Sequence, residues 1–243
     1  MKFMKEFLEY FSSKPTFSSD EARNFFSFRQ GPGGYYKTVI NNLIKSGRIY
    51  RITRGHYSFF DEVQFTGFAY KPFYYGLQDA LSLLDLWEQE TNPVIITPRK
   101  VRNGTRVFND RNYVVRRIDR NMFFGYSLIK YGDFYIPVSD SEKTLIDMTY
   151  YHEYIPEETK LALIDSIKPQ IFHEYCSRLS PILKKRVLSV IEDLPDISED
   201  FRRKLVDRDC WVFPCIMWQA CFFAGGLKKL HGIETEFCSN LRQ

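Results

Sequence analysis

Four histidines, His56, His152, His173 and His231, are the residues best suited to acid–base or metal chemistry, and their spacing argues against both. None belongs to an H-x-x-x-H pair or has a carboxylate at matching spacing. His173 and Cys176 form an H-x-x-C pair with no second pair to complete a metal site. Glu158-x-Lys160 matches half of a nuclease motif, but the segment reads as helix rather than strand. Glu142 and Asp147 are further candidate acids, and a capping role for Glu142 together with packing of their shared helix accounts for them without catalysis. Gly33-Gly34 precedes a helix, as in loops that cradle phosphate. No strand comes before it, however, and no Gly-Lys-Ser/Thr end follows. The reading is of a chain with no catalytic residues, no metal and no cofactor.

The chemistry the sequence does offer is recognition of a polyanion. Net charge is only +4, but it is unevenly spread. Residues 1–60 carry ten Lys/Arg against four Asp/Glu, and residues 97–120 carry eight against two. Residues 61–96 hold one base and six acids. From 22 to 60 there are seven Lys/Arg and no acid at all. A solvated surface ordinarily mixes signs, so a one-sign field over a whole supersecondary unit points to nucleic acid.

Within that field, a helix is expected from about Tyr35 to Ser46, stopped by Gly47. At 100° per residue, Tyr36, Val39, Ile40, Leu43 and Ile44 share one face, and Lys37, Thr38, Asn41, Asn42 and Lys45 share the other. The second set holds no carboxylate. Its amides, hydroxyl and amines are the groups that read base edges and clamp phosphates. Tyr35 at the helix start, Arg48 after it, and Arg51, Arg54 and His56 beyond complete the expected DNA-binding set.

The elements that must position these residues follow from periodicity. Phe3, Phe7, Tyr10 and Phe11 recur at helical spacing, so residues 2–13 read as a first helix, ended by Pro15. Ser18 and Glu21 fit a capping box that opens a short second helix to about Phe28. Residues 31–34, Gly-Pro-Gly-Gly, are a turn. After the third helix, residues 48–53 and 56–60 alternate as strands around Arg54-Gly55. Three helices and a basic hairpin give the layout of a winged helix-turn-helix, whose third helix enters the major groove while the wing reaches phosphates or the minor groove. A winged helix used only for protein contacts is the competing interpretation.

The remainder reads as a small mixed α/β unit and then a mostly helical one. Residues 74–84 read as helix, with Leu77, Leu81 and Leu84 on one stripe. Residues 94–97 and 113–118 read as strands, and residues 125–130 and 134–138 as a hairpin around Tyr131-Gly132-Asp133. Residues 98–112 are basic and loop-like, and Arg99, Lys100, Arg102 and Arg106 form a second basic patch, for DNA or a partner. Ser139 and Glu142 are expected to cap a helix running to about Tyr151, with Leu145, Met148 and Thr149 toward the sheet. Helices follow around residues 161–167, 171–179 and 182–194. The fold class is α+β: a winged helix-turn-helix over 1–62, a mixed α/β domain over 63–155, and a mostly helical region over 156–243 packing on the second.

Composition supports a packed protein, with 44% hydrophobic and 17% aromatic residues. Residues 210–227 carry no charge but contain Pro214, Gln219 and Gly225-Gly226, which favours buried helices or an oligomer contact over a membrane span. Four of the five cysteines, Cys210, Cys215, Cys221 and Cys238, cluster near the end without a C-x-x-C pair, and are expected as free thiols of a cytoplasmic protein.

Four stretches carry a resemblance. The basic hairpin Ile49-Tyr50-Arg51-Ile52-Thr53-Arg54-Gly55-His56-Tyr57-Ser58 is followed by Tyr74-Tyr75-Gly76-Leu77-Gln78-Asp79-Ala80-Leu81 and Val94-Ile95-Ile96-Thr97. Later comes Ile136-Pro137-Val138-Ser139-Asp140-Ser141-Glu142-Lys143-Thr144-Leu145-Ile146-Asp147-Met148. This order resembles the AbiEi-type antitoxins of abortive-infection systems, over roughly residues 1–150 and more weakly to 195. The resemblance implies a transcriptional autorepressor that binds inverted repeats of double-stranded operator DNA. It also implies an antitoxin of a type IV toxin–antitoxin system that counteracts a nucleotidyltransferase-type toxin. A homodimer is left open. The alternative is a defence-associated nuclease or nucleotide-modifying enzyme that uses the winged helix for DNA targeting.

Overall fold

The computed structural model describes residues 3–193 and 199–206. The uncharged stretch 210–227 and the four late cysteines lie outside them. The chain is a mixed α+β protein with a small three-stranded sheet and a six-stranded mixed sheet.

The N-terminal unit runs α1 (Met4–Ser12), β1 (Phe17–Ser18), α2 (Ser19–Phe28), α3 (Tyr35–Lys45), β2 (Tyr50–Thr53) and β3 (His56–Ser58). The three strands lie in the order β1-β3-β2, all antiparallel. Both halves of the expected capping box are present. The Ser18 N–H donates to Glu21 Oε2 at 2.7 Å, and the Glu21 N–H donates to Ser18 Oγ at 3.1 Å. The core is largely aromatic. Phe7 stacks on Phe26 at 5.3 Å and meets Phe17 and Phe25 edge-on, closed over by Val39, Ile40 and Leu43 of α3. Such edge-to-face and offset pairs add to the area they bury. Ile44, expected on that face, is 36% exposed, because it lies at its margin.

The larger sheet has the order β6-β7-β5-β4-β9-β8. Its strands are β4 (Tyr74–Tyr75), β5 (Val94–Thr97), β6 (Gly104–Phe108), β7 (Arg111–Arg117), β8 (Tyr126–Tyr131) and β9 (Phe134–Ser139). Pairs β4·β9 and β5·β7 are parallel and the others antiparallel. Side chains alternate between faces, as the pleat demands. Tyr74, Val94 and Ile96 face a helical layer of α5 (Ser141–Tyr151), α6 (Glu157–Asp165), α7 (Pro169–Ser177), α8 (Pro181–Glu192) and α9 (Glu199–Val206). Tyr75, Ile95, Tyr113, Val115 and Val138 face a 3-10 helix, Val63–Tyr70, and Ile52 of β2.

Three expectations need correction. Tyr74 and Tyr75 form a central strand, and the helix begins only at α4 (Leu77–Leu83). Leu77, at φ +58°, turns the chain there, and Gly76 before it lets the backbone pass Ile96, since a Cβ at Gly76 would come within 2.4 Å of Ile96 Cδ1. The basic stretch 98–112 is not all loop, since β6 lies within it, paired along its length with β7. The N-cap of α5 is Asp140, which accepts from the Lys143 N–H at 2.8 Å. Glu142 instead is buried and accepts from the Lys168 N–H at 2.6 Å, ahead of α7.

Candidate nucleic-acid interface

The acids of the N-terminal unit are spent on its first two helices. Lys5 pairs with Glu9 at 3.9 Å, Lys14 with Glu21 at 3.7 Å, Arg23 with Asp20 at 2.8 Å and Arg29 with Glu6 at 2.9 Å. These exposed pairs contribute little to stability, but they neutralise α1 and α2. Lys37, Lys45, Arg48, Arg51 and Arg54 make no ion pair among the described residues, so the net positive charge of the described N-terminal residues falls on α3, the hairpin and the turn between them.

Those residues also face outward. Lys37, Thr38, Asn41, Asn42 and Lys45 are all exposed, and so are Arg48, Arg51 and Arg54. Lys37 Nζ sits 5.9 Å from the Tyr36 ring. The start of α3 is open. Gly34, its N-cap, has φ +82° and offers no capping side chain, and a Cβ at Gly33 or Gly34 would meet nothing within 4 Å. The unsatisfied N–H groups and positive end of a helix favour an anion at such a place. Tyr35 is half-buried, its ring edge-on to Phe26 at 5.1 Å.

The hairpin does not float. Ile52 is 5% exposed and packs in the cluster of Val63, Tyr70 and Phe73, while Tyr50 meets Phe108 at 6.2 Å. With Tyr50 and Ile52 turned inward, alternation presents Arg51 outward, and the Gly55 turn (φ +79°) places Arg54 at the tip. His56 departs from its expected place beside them. It is half-buried and lines a cleft against the end of the 3-10 helix and Arg99, with Nδ1 out of contact with solvent and without a hydrogen-bond partner.

The second basic patch is less uniform than expected. Lys100 and Arg102 are exposed. Arg99 donates to the Ala69 carbonyl at 3.2 Å. Arg106 braces the fold: it donates to Tyr70 Oη at 2.8 Å and to the Arg102 carbonyl at 3.0 Å.

The candidate acids of α5 lie elsewhere and are sealed. Lys143 and Asp147 form an ion pair with both side chains fully buried, and Tyr74 Oη donates to Asp147 Oδ2 at 2.8 Å. Burial pushes the Lys143 ammonium down and the Asp147 carboxyl up, against their mutual attraction. No sequence signal short of the i,i+4 spacing marked this pair. His173 is hydrogen-bonded to the Lys204 carbonyl at 2.7 Å, and burial pushes the Cys176 thiol up to about 11, away from thiolate reactivity. Among the described residues no group of three His, Cys, Asp or Glu side chains is placed to hold a metal ion. Among them, too, no helix is long and apolar enough to cross a membrane.

No family model matches the chain, and no curated protein does. Among solved structures it is similar to the RV2827C protein from Mycobacterium tuberculosis. The TM-score is 0.56 at 9% identity, over 85% of this chain and 81% of that one. The likeness is one of fold.

Proposed function

We propose that the chain is a DNA-binding transcriptional repressor whose residues 3–60 work as a winged helix. The observation that carries this reading is the separation of charge within the N-terminal unit. Four acids on α1 and α2 are tied to nearby bases, while five bases from α3 to the hairpin stand outward without acids. The order of three helices and an antiparallel hairpin supports it, since α3 then takes the recognition position. In this reading Lys37, Thr38, Asn41 and Asn42 face base edges or the groove, and Lys45, Arg48, Arg51 and Arg54 face phosphates. The role of antitoxin to a nucleotidyltransferase-type toxin belongs to the same proposal and rests on the resemblance alone, and the cytoplasmic location rests on the cysteine pattern.

The test is substitution of the polar face. Asn41→Ala is expected to cost about 1–3 kcal/mol on an operator drawn from the DNA upstream of the chain's own gene, with far less effect on random duplex. Equal losses on both, read by fluorescence anisotropy, would show that Asn41 does not read sequence.

A further inference from the structure

A cleft of about 420 Å³ lies between the N-terminal unit and the end of the 3-10 helix with the turn that follows β5, and its walls come from separate segments of the chain. Lys14, Glu21 and His56 line it from one side, and Phe68, Lys71 and Arg99 from the other. Lys14 and Glu21 are paired at 3.7 Å, and Glu21 is further engaged by the Ser18 N–H. Arg99 is fixed by its bond to the Ala69 carbonyl, and Lys71 Nζ sits 5.0 Å from the Phe68 ring. Three cations against one carboxylate leave an excess of two positive charges, before any charge on His56.

We propose that this cleft binds a small phosphorylated molecule, its phosphate held between Lys71 and Arg99 on one wall and Lys14 on the other. The charge of a phosphomonoester near neutral pH, about −1.5 to −2, matches the excess, and the volume suits a ligand of nucleotide size. Pro15 and Phe68 offer apolar surface to the rest of the molecule. The inference goes beyond the DNA-binding reading and does not depend on it, because neither the α3 face nor Arg51 and Arg54 line the cleft.

Calorimetric titration of the full chain with inorganic phosphate and with AMP tests it. Saturable binding of AMP is expected, weakened about tenfold or more in Lys71→Ala and in Arg99→Ala and unchanged in Arg102→Ala, whose side chain lies outside the cleft. Lys71 is exposed, so its variant keeps the fold, and circular dichroism confirms that for each protein. Failure of both probes to bind at millimolar concentration overturns the proposal. So does equal affinity in all variants, or equal weakening by Arg102→Ala, which would signal general electrostatic attraction. A parallel titration with duplex DNA separates the two sources of phosphate. If Lys71→Ala weakens DNA but neither small probe, the cleft receives the DNA backbone and the small-molecule assignment falls.

Discussion

Lys143 and Asp147 place opposite charges in an interior that neither would enter alone. Removing one partner leaves the other buried and unpaired, whereas replacing both with apolar groups is often neutral. Asp147→Ala is therefore expected to destabilise the fold by about 3–5 kcal/mol in urea denaturation, with Lys143→Met/Asp147→Leu recovering most of the loss. A double variant as unstable as the worse single one would mean that the pair is needed for its specific geometry. Asp79 poses a different problem. It is 4% exposed, accepts from the Val94 N–H and the Gln64 amide, each at 3.1 Å, and burial pushes its carboxyl up to about 7. An unfolded chain releases that proton near pH ~4, so folding takes one up between the two values. The contribution of Asp79 to stability is thus most favourable at low pH, declines as pH rises from about 4 to about 7, and is level above. Asp79→Asn, which still offers Val94 an acceptor, should flatten that part of the pH dependence of the urea midpoint. An unchanged slope would place the proton elsewhere.

At the scale of elements, Ile52 ties the hairpin to the 3-10 helix. Ile52→Ala opens a cavity where β2 meets the 3-10 helix, at an expected cost of about 2–5 kcal/mol. By loosening the wing it should also weaken DNA binding while leaving the α3 contacts in place. A variant with full stability and full affinity would show that the hairpin needs no such support. The same scale shows what the sequence made legible. The Ser18/Glu21 box, the Gly47 stop and the Arg54-Gly55 turn were readable because each is settled by local backbone chemistry. Tyr74-Tyr75 was not, because a two-residue strand is too short to show a period and the leucine stripe beyond it is truly helical. Strand β6 was hidden by its exposure: only Phe108 is buried, so it lacks the apolar run expected of a strand. The α5 cap was misplaced by one residue because Ser139 and Asp140 are both good caps, and the burial of Glu142 depends on α7, far away in sequence. Of the residues expected to face DNA, the outward placement of those on α3 was legible from helical period alone. His56 was not, since its surroundings come from residues 68–71 and 99.

For the whole molecule, the question is how far a duplex would extend beyond the N-terminal unit. Lys100 and Arg102 project into solvent, whereas Arg106 is committed to Tyr70. If the footprint includes this patch, Lys100→Ala/Arg102→Ala should reduce the salt dependence of binding by nearly two units of log slope, since each phosphate contact adds about 0.9. An unchanged slope would confine the footprint to α3 and the hairpin. The central claim is simpler: outward cations without acid partners exist to meet a phosphate backbone. Its most direct measurement is the affinity of the full chain for duplex DNA over a series of salt concentrations, beside Arg51→Ala/Arg54→Ala. The account predicts a linear fall of log affinity with log salt, and a slope shallower by about two units in the variant. No binding at low salt, or the same slope in both proteins, would contradict it.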